Sequence, residues 1–313
     1  MATSFSKSQH DSRVMNIPIV GCIMYGGIGN RMFQYASTYG LARLNNRIHR
    51  VVHVCSDINH NIQLDDYSSL FGYDSKHVSN SQFDIKFILN KLKYQWVIFM
   101  EPPNKNQTVA FHKFEESAPS NICVNGYLQN EDYFIQWRNE ILIKFAEPVL
   151  VTKYLKEKYT TENSEKYGCT LSDLENMYFI HVRLGDYYRI ASHKGYHFID
   201  LNIYYKNAIT LLQSFDANAK FVVFTEDIPG LQEVYPWLMR YPVIYETNDL
   251  AGLYMLKRCR KGGICANSSY SWWGAWLNEN PLRRTILPNK WFTSLTERLT
   301  MKNALYVSVE SSV

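Results

Sequence analysis

Cys265-Ala266-Asn267-Ser268-Ser269-Tyr270-Ser271-Trp272-Trp273-Gly274-Ala275-Trp276-Leu277 sets a run of small amide and hydroxyl residues directly before an aromatic segment. Asn267, Ser268 and Ser269 are residue types that cap a helix, because a short side-chain oxygen can accept from the first unpaired N–H groups. Trp272, Trp273 and Trp276 recur at three-to-four spacing and so share the inner face of that helix. The preceding Gly262 to Ala266 is a short apolar run that predicts a strand. A helix opening on such a turn carries unpaired amides and a partial positive charge, the combination that holds phosphate. A capped, tryptophan-packed core helix without a ligand would show the same pattern.

The theme recurs along the chain. Ile17 to Met24 predicts a buried strand that runs into Tyr25-Gly26-Gly27-Ile28-Gly29-Asn30. A helical pattern follows, with Met32, Tyr35, Ala36 and Tyr39 on one face. Glycine lets backbone amides approach a diphosphate, because it lacks the Cβ that would block them. The spacing is not the dinucleotide fingerprint, since Met32 stands where the third glycine belongs, and no G-K-[ST] follows to make a Walker loop. A plain tight turn between strand and helix is the competing reading. Farther on, Met177 to Arg183 predicts a strand ending in His181, Arg183 and Asp186, with Gly185 turning the chain. Lys220 to Asp227 predicts another, again polar at its end. Helices are expected over Tyr204 to Leu212 and Asp249 to Arg258, and a strand over Pro242 to Tyr245.

Strands alternating with helices predict an α/β fold with parallel sheets, and ligands in such sheets bind beyond the carboxyl ends of the strands. Three polar strand ends, near His181–Arg183, Thr225–Asp227 and Asn267–Ser269, therefore converge on one crevice. The charged, apolar-poor segment from Glu147 to Cys169 marks a boundary. The expected organisation is a tail over residues 1–15, one α/β domain over 16–160 and a second over 161–313.

The totals agree with a globular protein: 313 residues, 46% hydrophobic and 20% charged. A net charge of +4 without a concentrated basic face argues against nucleic acid as a partner. Six scattered cysteines without C-x-x-C spacing argue against a zinc site and fit a reducing compartment. No apolar run approaches the ~20 residues of a membrane span, so no span is expected and a soluble, cytoplasmic location is. Asn106-Gln107-Thr108 matches a glycosylation triplet without a secretory signal to give it meaning. His193 and His197 are four apart but separated by Gly195, and are read as loop residues and not as a metal site.

The ordered set of motifs resembles the α-1,2-fucosyltransferase family, glycosyltransferase family 11. It is carried by Gly26 through Ala36, Gly126 through Phe134, His181 through Tyr187, Phe221 through Asp227 and Asn267 through Leu277. The resemblance implies a GT-B fold of two facing Rossmann-like domains, the second holding GDP-fucose and the first presenting the acceptor. It also implies inverting, metal-independent transfer of L-fucose to a hydroxyl, usually O2 of a terminal galactose. No Asp-x-Asp triplet occurs in the chain to chelate a diphosphate-bound metal, and no cofactor beyond the donor is expected.

By that resemblance Arg183 is the cation that meets charge developing on the diphosphate, because a planar guanidinium can engage two phosphate oxygens at once. Asp186 orients it. His181 and Asp249 would meet the guanine; Asn267, Ser268 and Ser269, with Gly27, Gly29 and Asn30, would hold phosphate; Asp227 would shape the donor loop. Glu131 and Asp132 are the candidate bases on the acceptor side. The chain departs from the family at Leu184, where many relatives carry a second arginine, at Glu226, in place of an aspartate, and at Arg31, in place of a glutamine. Open alternatives are a fucosyltransferase acting on chitooligosaccharide or a protein hydroxyl, and a non-catalytic GDP-sugar-binding protein. A dehydrogenase is disfavoured by the missing third glycine.

Overall fold

A computed structural model describes residues 17–55, 70–72, 78–79, 96–101, 120–294 and 298–310. The expected tail and the glycosylation triplet lie outside the described residues. Two parallel sheets carry the architecture. The first is built from β1 (Ile19–Met24), β2 (Ile48–Cys55), β3 (Val78–Ser79), β4 (Trp96–Met100) and β5 (Asn121–Asn125), in the order β3-β2-β1-β5-β4. The second is built from β6 (Met177–Val182), β7 (Lys220–Thr225), β8 (Val243–Ile244), β9 (Gly262–Ile264), β10 (Arg284–Pro288) and β11 (Leu305–Val307), in the order β11-β10-β9-β6-β7-β8. Counted from β6, the second sheet has the doubly wound order 3-2-1-4-5-6, with its switch point between β6 and β9. The first sheet reverses between β1 and β5. Every described strand pair is parallel.

β6 is buried along its whole length, as a near-continuous apolar run covered on both faces must be. β10 and β11 were not foreseen: Arg284–Pro288 ends in proline, and Leu305–Val307 is only three residues long. β8 is likewise shorter than the predicted Pro242–Tyr245.

Nine helices take part in the argument: α1 (Ile28–Leu44), α2 (Arg138–Lys144), α3 (Val149–Lys158), α4 (Gly185–Arg189), α5 (Ala191–His197), α6 (Asn202–Phe215), α7 (Ile228–Val234), α8 (Asp249–Arg258) and α9 (Ser269–Trp276). His193 and His197 thus lie on a helix, and the loop reading of them is corrected; a helix tolerates one glycine such as Gly195. α1 departs from its one-faced pattern, with buried residues on almost every side. One side meets its own sheet and another meets α9 from the second half. Phe33 packs on Trp272 and Trp273 with ring centres 4.5 and 5.1 Å apart, and Phe134 stacks on Trp273 at 5.4 Å. Arg138 lies over Trp276 and donates to its carbonyl at 2.7 Å. α3, on the near side of the expected boundary, packs on α8, and its Lys158 joins Tyr154 and Tyr159 around Glu246. One hydrophobic cluster runs through both halves. Among the described residues no helix is long and apolar enough to cross a membrane.

The halves approach closely at Gly29. A Cβ there would lie 2.6 Å from the Ser269 carbonyl carbon and 2.7 Å from the Tyr270 nitrogen. Gly29→Ala is therefore expected to cost about 1–3 kcal/mol by overpacking against backbone that cannot swing aside. Thermal unfolding should show a Tm lowered by several degrees, and an unchanged Tm would contradict the contact.

Candidate active site

The carboxyl ends at both switch points open on one cavity of about 680 Å³, within the usual range for ligand sites. β1 delivers Tyr25–Asn30, β5 delivers Tyr127 and Gln129, β6 delivers Arg183, β7 delivers Glu226, and the segment after β9 delivers Ser268–Tyr270.

The glycine turn is fixed from behind. Gly26 holds φ +75°, a left-handed conformation suited to glycine. Arg31, fully buried, donates from Nε to the Gly26 carbonyl at 2.6 Å and from Nη2 to the Cys55 carbonyl at 2.7 Å. The residue that departs from the family pattern is thus a brace beneath the turn. Asn30 Oδ1 accepts from Gln129 Nε2 at 2.7 Å and from Ser269 Oγ at 2.8 Å, joining three strand ends at one atom. Gly27 caps α1 without a side chain, and Ser268 caps α9 by accepting from the Tyr270 amide at 3.3 Å. Neither helix has an acidic residue in its first turn, where one would normally offset the dipole. Two positive helix ends therefore face the same space.

Arg183 stands just beyond β6. Its Nη2 lies 2.5 Å from Asp186 Oδ1, and its Nη1 lies 3.6 Å from Glu226 Oε1. Burial disfavours its charge, but the facing Glu226 and Asp186 carboxylates more than offset this and hold its pKa above the ordinary arginine value. Glu226 Oε1 also accepts from the Leu184 amide at 2.8 Å. Leu184 itself is buried in the core, so its position offers the cavity no second guanidinium.

His181 is 4% exposed, and its Nδ1 has no hydrogen-bond partner among the described residues. Burial, reinforced by Arg183, depresses its pKa to about 3, so the ring is neutral at ordinary pH. A buried, neutral, unpartnered ring nitrogen on a cavity wall suits a polar ligand atom. Asp249 lines the same wall at the start of α8, and its carbonyl accepts from Tyr270 Oη at 2.7 Å. The lining from α4, α5 and residues 291–292 is aromatic: Tyr187 stacks on His197 at 4.5 Å, and Tyr196 meets Phe292 at 4.9 Å.

Of the expected residues, Gly27, Gly29, Asn30, His181, Arg183, Asp186, Asp249, Ser268 and Ser269 line the cavity. The structure does not bring the others there. Asp227 accepts from the Gly230 amide at 2.9 Å as the cap of α7 and pairs with Arg189 through two 2.7 Å bonds. Asn267 donates to the carbonyls of His197 and Trp291, at 2.8 and 3.0 Å, and so ties down two wall segments from outside. Glu131 is buried against Trp276 Nε1 and the Lys302 amide, and Asp132 faces Lys302 at 3.7 Å. Both candidate bases occupy the seam between the halves and not the cavity. Sequence reasoning missed Tyr187, His193, Tyr196, His197 and Phe292 as wall residues. The aromatic density of 187–198 and the four-residue histidine spacing were the available signals. Among the described residues no group of three or more His, Cys, Asp or Glu side chains could hold a metal ion.

Two parallel sheets facing each other across a cavity at both switch points are the arrangement of a GT-B glycosyltransferase. The chain belongs to glycosyl transferase family 11, whose model matches residues 22–306. It is 24% identical over 299 residues to the O-antigen biosynthesis glycosyltransferase WbnK of Escherichia coli, covering 88% of this chain and 96% of that protein. It is 25% identical over 293 residues to an alpha-1,2-colitosyltransferase of Escherichia coli, covering 88% and 92%. Among solved structures, POFUT1 in complex with GDP aligns with a TM-score of 0.46 at 12% identity, over 87% of this chain and 98% of that one. NodZ alpha-1,6-fucosyltransferase soaked with GDP-fucose aligns with a TM-score of 0.44 at 12% identity, over 83% and 92%.

The contacts of Asp227 make it a structural residue. Asp227→Ala should lower Tm through loss of the cap, about 0.5–2 kcal/mol, and of the ion pair with Arg189, as thermal unfolding will show. Its Arg189 hydrogen bonds hold the carboxyl below the ordinary range. The stabilisation is thus present above the unfolded carboxylate value, and the Tm difference should shrink as pH falls through the folded value.

Proposed function

We propose that this protein is a galactoside α-1,2-fucosyltransferase, moving L-fucose from GDP-fucose to O2 of a terminal galactose with inversion at the anomeric carbon. The observation that carries the reading is the convergence of Arg183 with the two uncompensated helix ends of α1 and α9 at one cavity. That is what a departing diphosphate requires. Family membership supports the reaction class, and the α-1,2 linkage in one relative's name supports the regiochemistry. That relative's name also specifies colitose, so the donor sugar is the variable a first assay must span.

In this reading the guanine lies toward His181 and Asp249 and the diphosphate between Ser268–Ser269 and the Gly27–Asn30 turn. As the sugar–phosphate bond lengthens, the ring gains oxocarbenium character and negative charge accumulates on the diphosphate. Arg183, held by Asp186 and Glu226 on two sides, meets that charge in place without reorganising. Amide dipoles supply the rest of the counter-charge, so the reaction needs no divalent cation. The cavity between the sheets admits the galactoside from the side of Tyr25, Tyr127 and Gln129.

Arg183→Ala should lower kcat for transfer by at least about 10²–10³-fold, as loss of one preorganised donor does, with Tm within a few degrees of wild type. Product formation from GDP-fucose and a galactoside panel measures it, and retained turnover would remove Arg183 from its role. EDTA should leave the rate unchanged in the same assay.

A further inference from the structure

With Glu131 and Asp132 in the seam, the acceptor proton needs another destination. His193 lines the cavity from α5, on the same side as Arg183. Its Nδ1 lies 3.3 Å from Asp186 Oδ2, within ion-pair reach but off the line of a hydrogen bond. The other oxygen of the same carboxylate, Oδ1, holds Arg183 at 2.5 Å. One aspartate therefore sets a cation and an imidazole side by side. An aspartate beside Nδ1 favours the tautomer with its proton there, which leaves Nε2 as a proton acceptor. The charged and titratable groups around the ring are Asp186 with Arg183 behind it on α4 and the end of β6, and His197 on α5 with ring centres 6.0 Å apart. Tyr187 stacks on the far side of His197, and the adjoining Trp291–Phe292 segment adds only rings without charge.

We infer that His193 is the general base of the transfer and that Asp186 couples it to Arg183. The inference rests on the GDP-fucose reading above. In the step, Nε2 takes the proton of the acceptor hydroxyl while that oxygen's electron pair forms the new bond to C1 of the fucosyl group. The bond from C1 to the β-phosphate oxygen breaks, and its electron pair leaves with GDP against Arg183. The proton then passes from the imidazolium to water. Push and pull are thus anchored to the two oxygens of a single side chain.

The experiment compares wild type, His193→Gln and His193→Ala, using GDP titration by calorimetry and initial rates of transfer from GDP-fucose to lactose across pH 5–9. The expected result is a kcat lowered about 10²-fold in both variants, the low end of what general base catalysis contributes. GDP affinity and Tm should stay near wild type. The dependence of the rate on pH should differ between wild type and both variants, as it would not if the histidine only packed. Added imidazole should restore part of the rate in His193→Ala but not in Arg183→Ala, a rescue that a packing role would not show. Variants that transfer at wild-type rate with the same pH profile overturn this inference and leave the donor reading intact. Wild type that fails to bind GDP, or binds it without releasing GDP from GDP-fucose, overturns both.

Discussion

The structure depends on the contact between the first turns of α1 and α9. Ser269 can touch Asn30 only because residue 29 has no side chain, and Trp272 and Trp273 then close over Phe33 and Phe134 behind that touching point. The contact fixes the facing of the two sheets. It also forces two helix N-termini, each with unpaired amides, into one region. Like ends of dipoles repel, and the protein leaves the repulsion uncompensated by placing no acid in either first turn. The aromatic packing behind the contact holds the two ends together. Such an arrangement is most stable with an anion between the ends, so the packing of the interior and the chemistry of the cavity have a common origin.

Much of the architecture was legible because buried parallel strands read as apolar runs and their polar ends stand out. Met177–Val182 followed by Arg183 and Asp186, and Gly262–Ile264 followed by the serine turn, are of that kind. The nine expected residues that do line the cavity all lie at such strand ends or at a helix start. Asp227 and Asn267 show where the reasoning runs out. Both are polar residues at strand ends, but a side chain there can turn back to cap a helix or staple a carbonyl. Pattern alone does not say which way it turns. Glu131 follows a recognisable turn yet is drawn into the seam by Trp276, a residue 145 positions away that no local pattern connects to it. α5 was missed for the opposite reason: one glycine outweighed a histidine spacing that was helical.

Arg183 is not a free cation, and this bears on how the cavity can stabilise charge. It faces Asp186 and Glu226, so its full charge is not available to a ligand at long range. What the two carboxylates supply is orientation, and a guanidinium pinned at two points loses little freedom when a diphosphate arrives. The long-range attraction must come from elsewhere, and the two helix ends, with no acid in their own first turns, are the source the cavity offers. The labour is thereby divided. In the proposed reading, amide dipoles would draw the nucleotide in, while the arginine, fixed and partly neutralised, would strengthen its hold only where charge grows. That asymmetry, weak toward a resting ligand and strong toward a departing one, is what distinguishes a catalytic arginine from one that merely binds. On that reading one arginine beyond β6, Arg183, faces the cavity, while Arg189 is spent on Asp227 and Leu184 is sealed into the core.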